Sequence, residues 1–475
     1  MSNCPMPENQ KAGWVADIEF VFAECVRIQT AISDAVKNNP ASLKDLPKED
    51  MWGDLPHPDG KGPLMCGRAA NQRVWRLAEQ AVKYSDAVGT IEIAPVQKAL
   101  GKILVQRFLT ERRPIDVQQA ERALSSAVKE AKRARMDRTH YVPCRLMYSK
   151  GPTSFAIGPV SFHARERFNE LMASHFESYG RRDGEDWQRE LDAQLLADAR
   201  HYYDGFTWVG EVNVLNCDGG TSLERARMAV TGAVNLVHIL FGSYHTRRMD
   251  IGGPRLETDR RAHMSLDPKH GLYVSCSSAS TSAVGFQDDW GKFLEGEDMA
   301  VLLRAANKAL ETVVNPAIKR TLGSRLLDSA AWFGDAVREA SPAAQIIKAV
   351  TALERLVLTS EHEDIKKTVS QRGAAIRYDP ADTKTFQELE SELAEAYVMR
   401  SRLAHGSLSP FDPEVAAFAP ACLHRIEQVI CWGLGLFESH GLFDRELTNR
   451  QLAEGFDGLI SFAQKRDATL GEVSS

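Results

Sequence analysis

Cysteine is scarce in this chain: eight residues in 475, with no CxxC pair among them. That pattern argues against a disulfide framework and against a zinc site built on paired thiolates, and it suits reduced thiols in the cytoplasm. Cys144 follows His140 closely, but no second His/Cys pair accompanies them. No apolar run is long enough to span a bilayer, so no membrane partner is expected; the strongest, AVTGAVNLVHILFG at 229–242, is interrupted by Asn235 and His238. The first residues, MSNCPMPENQ, lack the basic-then-apolar pattern of a secretory signal. The GxGxxG and P-loop phosphate signatures and the GxSxG nucleophile elbow are also missing. A net charge of −6 speaks against a surface coated with nonspecific affinity for nucleic acid, while leaving room for a local basic site.

What is present is the composition of an ordinary globular protein, 43% hydrophobic and 26% charged, in a chain long enough for more than one core. Helical periodicity covers 12–38, 68–85 and 93–110, separated by the Pro/Gly-rich stretch WGDLPHPDGKGP at 52–63. Pro114 is expected to open a further helix ending in KEAKRARMDR at 129–138. From 139 the texture changes. HYVPCRLMY, TSFAIGPVSF, FTWVGEVNVLNC and GLYVSCSSAS read as strands. Beyond Trp290 helical signals dominate, and Ser341-Pro342 and Asp412-Pro413 each supply a capping side chain followed by proline at the first helical position. The expected class is α+β and mostly helical: a helical region at 1–138, a mixed α/β region at 139–295 that could form one sensor domain with it, and an all-α bundle at 296–475.

The sharpest anomaly lies in YVMRSRLAHGS, 397–407. At about 100° per residue from Phe386, one apolar stripe takes in Leu389, Leu393, Ala396, Tyr397 and Leu403, and Arg400 falls inside it. Arg402 falls elsewhere and suits a solvated face. His405 lies roughly 140° from Arg400 by the helical period, and Gly406 suits the position just past a helix end. A guanidinium on a buried stripe needs a partner. Two solutions stand: an internal ion pair with Glu354 or Glu427, or an apolar stripe that runs out to a dimer interface where Arg400 meets water or an anion.

Four Arg–His pairs have four to six residues between them: Arg133 and Arg135 before His140, Arg355 before His362, and Arg400 before His405. Only the last sits at the end of an amphipathic helix, in the string Tyr-x-x-Arg-Ser-x-x-x-His-Gly. That string, with LLDSAAWFGDAVREA, AVTALERLVL and EDIKKTVSQRGAAI before it, resembles the HEPN helical bundles, in particular the Apea-like branch of bacterial abortive-infection proteins. The resemblance covers about 320–440. It implies a two-protomer site that cleaves RNA without metal or cofactor, with Arg400 on the phosphate, His405 in acid/base work and Ser401 as an auxiliary donor. Catalytic HEPN members often carry Asn, His or Asp where this chain has Ser401. Glu354 is a candidate to orient Arg400, and Tyr397 to contact RNA or to fill the core. The implied partners are RNA and a second copy of the chain through its C-terminal bundle, with an unidentified trigger for the N-terminal region. The alternative is a non-catalytic HEPN module that binds RNA, a nucleotide or a protein.

Two further features could hold anions. YHTRRMDIGGPRLETDRR at 244–261 reads as a Gly-containing loop carrying Arg247, Arg248, Arg255, Arg260 and Arg261. CDGGTSLERA at 217–226 runs from strand through a glycine turn into a helix, with Thr221 and Glu224 as a possible capping box and a structural turn as the simpler reading.

Overall fold

The computed structural model describes residues 8–38, 44, 46–148, 151–179, 185–253, 258–267, 271–280, 284–360 and 364–473. The chain is mostly helical with a small sheet, the α+β class expected from its sequence. It divides into two compact units: residues 1–138 with 215–224, and residues 139–214 with 225–475. The mixed middle region thus groups with the C-terminal helices, whereas the sequence left open a single domain with 1–138.

The first unit packs α1 (Glu8–Asn38), α2 (Gly67–Lys83), α3 (Ile93–Leu104) and α4 (Val117–Lys132) around one core. Trp14, Ile18, Val21, Cys25 and Ile28 bury one face of α1 at the three-and-four spacing of an amphipathic helix. On α4 the buried face is largely alanine (Ala120, Ala123, Ala127 and Ala131), small enough for close approach. Asp17, buried within this core, is held by Arg76 at 2.6 Å and Arg73 at 3.2 Å, so its charge is matched. The stretch 52–63 is more ordered than expected: β1 (Asp54–Pro56) pairs antiparallel with β2 (Pro63–Met65). The fourth helix opens at Asp116, whose side chain accepts the Gln119 N–H at 2.8 Å, rather than at Pro114. It ends at Lys132, and Met136–Arg138 already belongs to the first strand of the main sheet.

That sheet has the order β5-β6-β7-β3-β8, formed by β3 (Met136–Arg145), β5 (Ser154–Ile157), β6 (Val160–Ala164), β7 (Trp208–Cys217) and β8 (Asp250–Ile251). A short strand, β4 (Met147–Tyr148), follows β3. Two largely exposed helices, α5 (Arg165–Tyr179) and α6 (Asp186–Tyr203), lie between β6 and β7 in sequence. The apolar helix α7 (Gly219–Phe241) lies against the sheet, and a Cβ on Gly210 would stand 2.8 Å from Val230. Gly210 therefore sets how closely helix and strand approach. A one-turn helix, α8 (Ser243–Thr246), follows, and β9 (Thr258–Asp267) pairs antiparallel with β10 (Gly271–Ser280). The segment expected to be a loop at 244–261 thus contains most of a helical turn, the short strand β8 and the start of β9. A last strand, β11 (Val284–Gly285), runs parallel to β4.

The C-terminal bundle comprises α9 (Glu297–Val314), α10 (Thr321–Arg338), α11 (Pro342–Val357), α12 (Ile365–Arg377), α13 (Phe386–Ala404), α14 (Pro413–Ser439) and α15 (Asn449–Val473). The central helix is α14, which packs against α9 through α13 and buries Val415, Ala419, Cys422, Ile426, Ile430 and Leu434. Both sequence caps form: Ser341 accepts from Ala344 N–H at 3.5 Å and Asp412 from Glu414 N–H at 2.9 Å. Two buried arginines close the C-terminal end of α11. Arg325 donates to the carbonyls of Arg355 and Leu358, and Arg372 to that of Val357, where the helix leaves acceptors unpaired and its dipole favours a cation.

One buried histidine joins α7 to α8 and α10. His238 Nδ1 lies 2.9 Å from Thr246 Oγ1, whose hydroxyl donates to the Gly242 carbonyl, and Arg338 Nη1 lies 3.1 Å from Nε2. This arrangement requires the neutral imidazole with its proton on Nδ1. Burial, and secondarily the Arg338 charge, pushes its pKa from 6.5 down to about 3. Because the folded pKa is depressed, the unfolded chain takes up the proton first, so stability is lost as pH falls below 6.5. Between pH 7 and 5.5 this group should remove about 1 kcal/mol of stability. Urea unfolding at both pH values should show that loss in the native chain and not in His238→Gln; equal losses in both would exclude His238 as its source.

Candidate functional site

Helix α13 begins and ends with strong local signals. Thr385 accepts from the Glu388 N–H while the Glu388 carboxylate accepts from the Thr385 N–H, a complete capping box. At the other end His405 caps the helix just after its last residue, Ala404, and Gly406 turns the chain at φ +70°. Gly406 N–H donates to the Leu403 carbonyl at 3.2 Å and Ser407 N–H to that of Arg402 at 2.9 Å. This is a Schellman closure, which only glycine adopts without strain. It fixes the backbone that carries His405, whose side chain is exposed.

The buried face of α13 runs through Phe386, Leu389, Leu393 and Ala396 to Met399. Tyr397, Arg400 and Leu403 are half-buried at its flank. The expected stripe is therefore right in its first half, then drifts around the helix toward Met399, leaving Arg400 at its edge. Arg400 Nη2 donates to Glu354 Oε2 of α11 at 3.2 Å; the two side chains are 25% and 13% exposed. Of the two carboxylates considered as partners, it is Glu354 that pairs. Glu427 instead accepts the Ser243 N–H at 2.9 Å. The Arg400 guanidinium also lies 5.9 Å from the Tyr397 ring centroid, at the outer limit of a cation–π contact.

The pair is not electrostatically saturated. Burial raises the Glu354 pKa above the usual carboxylate value, and Arg400 opposes that shift without cancelling it. Arg400 Nε is buried and makes no hydrogen bond among the described residues. The guanidinium thus keeps donor capacity beyond its bond to Glu354, at a position still reached by solvent. Ser401 is half-buried, and its carbonyl accepts the His405 N–H at 3.0 Å. Arg402 is turned to the solvated side and approaches Glu414 at 3.5 Å. Arg400, Glu354 and Tyr397 are therefore in one cluster, with Ser401 and the exposed His405 next along the same helix end.

The other anion candidates fare differently. Arg247 and Arg248 are exposed beside α8. Arg255 lies outside the described residues; Arg260 and Arg261 belong to β9, with side chains outside the described set. In CDGGTSLERA the cap is Asp218, which the sequence reading passed over in favour of Thr221 and Glu224. The Asp218 carboxylate accepts the Thr221 N–H at 3.0 Å and the Glu92 N–H at 2.8 Å, so the chain's own anion fills the helix start. A Cβ on Gly220 would overlap the Glu92 carboxylate, which explains the second glycine of the turn. In KEAKRARMDR the basic side chains have local partners: Lys132 with Asp86, Arg133 with Glu130, and Arg138 with the Cys217 carbonyl. The buried His238–Arg338 network and the buried Arg325 were also missed, since their roles depend on partners far away in sequence.

Removing Arg400 should expose the cost of the Glu354 charge. Arg400→Met is expected to destabilise the chain by about 1–2 kcal/mol at pH 7. The penalty should shrink toward pH 4, where Glu354 is protonated, and should largely vanish in the Glu354→Gln/Arg400→Met double variant. Denaturant unfolding of the three chains tests this; a penalty that persists in the double variant would place it in lost packing instead. Comparison of the whole chain with protein-family models, with curated proteins and with solved structures returned no match.

Proposed function

We propose that the C-terminal bundle is a metal-independent ribonuclease that works as a pair of chains, with Arg400 and His405 as its chemical groups. The observation that carries this reading is the state of Arg400. It is anchored by Glu354 yet retains an unused buried donor and solvent access, and five residues after it stands a histidine held at a rigid helix end. The resemblance of this helix to the HEPN signature points the same way.

In this reading the RNA phosphate lies on Arg400, whose fixed charge stabilises the negative charge that builds on the non-bridging oxygens. One histidine removes the proton of the ribose 2′-hydroxyl, and that oxygen attacks the adjacent phosphorus. The bond from phosphorus to the 5′-oxygen breaks, and a second histidine protonates the leaving oxygen. The products are a 2′,3′-cyclic phosphate and a 5′-hydroxyl. One chain supplies a single histidine at this helix end, so a second copy across a two-fold axis provides the other from the same residue. Glu354 orients Arg400, Ser401 donates to the phosphate, and Tyr397 borders the RNA. A role as an abortive-infection effector in antiviral defence rests on the family resemblance.

A second reading is favoured by the ion pair itself. With Glu354 mostly buried, Arg400 can be a structural clamp between α11 and α13 in a module that binds RNA, a nucleotide or a protein without cleaving it.

Incubation of the purified chain with mixed cellular RNA in EDTA separates the two. The ribonuclease predicts fragments ending in 2′,3′-cyclic phosphate, formed by a dimer. His405→Ala, at an exposed site, should lower the rate by roughly 10²–10⁴ while leaving the melting temperature unchanged. RNA left intact by the native dimer would remove the enzyme and leave the clamp.

A further inference from the structure

We infer that a cationic cavity in the bundle, at the start of α10, is a binding site for phosphoryl groups. The cavity has a volume of about 430 Å³ and is lined by Lys319, Arg320, Arg325 and Arg355, together with hydroxyls that include those of Thr321 and Ser324. No carboxylate is among the lining residues. Four cationic side chains around one cavity repel one another, and an anion among them relieves that repulsion. Two have carboxylate partners that are not among the lining residues: Arg320 with Glu311 at 2.7 Å, and Arg355 with Asp328 at 2.5 Å. Those bonds orient the guanidinium groups, and the exposed Lys319 adds a mobile charge at the rim.

The floor of the cavity is built rather than adventitious. Arg325 is 7% exposed and is fixed by the Arg355 and Leu358 carbonyls and by Asn449 Oδ1 at 2.9 Å. One turn before it on the same helix, α10 starts at Thr321 with no side-chain cap and no acidic residue in its first turn. The uncapped start of an 18-residue helix, with Thr321 and Ser324 lining the cavity beside four cations, is complementary to oxyanions. The volume is many times that of one water, about 30 Å³ each, so it admits a diphosphate or a run of backbone phosphate as readily as a single ion. The shared chemistry is a phosphoryl group carrying more than one negative charge, free or in a nucleic-acid backbone. This inference does not depend on the ribonuclease reading: none of the lining residues belongs to the Arg400 cluster.

Calorimetric titration of the full chain with sodium pyrophosphate, and separately with a short DNA oligonucleotide that lacks the 2′-hydroxyl, tests it. Lys319→Glu and Ser324→Asp change exposed side chains of the lining, and the carboxylate each one places among the cations should hold or raise the ligand-free melting temperature, not lower it. Each should weaken binding at least tenfold, and Lys319→Gln should weaken it less than Lys319→Glu. Pyrophosphate binding with that pattern identifies a free phosphorylated ligand; oligonucleotide binding alone, with the same pattern, identifies a backbone site. Absence of binding by either probe, or equal binding by the native chain and the charge-reversed variants, overturns the proposal.

Discussion

Glu354 and Arg400 hold the end of α13 against α11, and much of the candidate site follows from the cost of that arrangement. A carboxylate that is mostly buried needs a cation nearby, and one bond at 3.2 Å meets only part of the need, as the raised pKa of Glu354 shows. Arg400 is left half-satisfied for the same reason: it is drawn in far enough to bury Nε and not far enough to give that atom an acceptor. An apolar pair at these positions would pack the helices as well or better. The ion pair is thus expensive for a scaffold and economical for a device that must hold a guanidinium in one orientation.

The same constraint recurs through both compact units, with a different solution each time. Asp17 is matched by two arginines of α2, Asp218 by backbone N–H groups, and His238 by staying neutral between a hydroxyl and Arg338. Arg325 and Arg372 spend their donors on the carbonyls at the end of α11. In these sites the hydrogen bonding is local and dense. Arg400 stands apart from them because, among the described residues, its side chain bonds one carboxylate and leaves its buried Nε idle.

Features that depend on neighbours in sequence were legible before the structure. The caps at Ser341 and Asp412, the glycine closure at Gly406, the strand character of TSFAIGPVSF and the helical character beyond Trp290 all follow from side chains within a few residues of the effect. Features that depend on distant partners were not. Thr221–Glu224 satisfies the capping-box pattern, but Asp218 wins the helix start because its second oxygen also meets the Glu92 N–H, far away in sequence. Thr258–Asp267 carries glycine and proline upstream and several arginines, which read as loop, yet its ladder with Gly271–Ser280 makes it a strand. On α13 the fixed 100° step placed Arg400 inside the buried stripe, whereas the real buried arc turns to Met399 as the helix crosses its neighbours.

Helix α11 connects the two anion-directed features of the bundle. Glu354 faces α13 and holds Arg400, while Arg355, the next residue and about 100° further round, pairs with Asp328 of α10 and lines the cationic cavity. The C-terminal end of the same helix is tied down by Arg325 and Arg372. A ligand bound in the cavity would touch, at Arg355, the helix whose Glu354 bonds Arg400. Proximity alone does not make the two communicate: a ligand shifts Arg400 only if it binds one position of α11 better than another. The physical requirement for coupling is a second stable seat for α11, and the arginines that close its C-terminal end are the residues that any such movement would have to release.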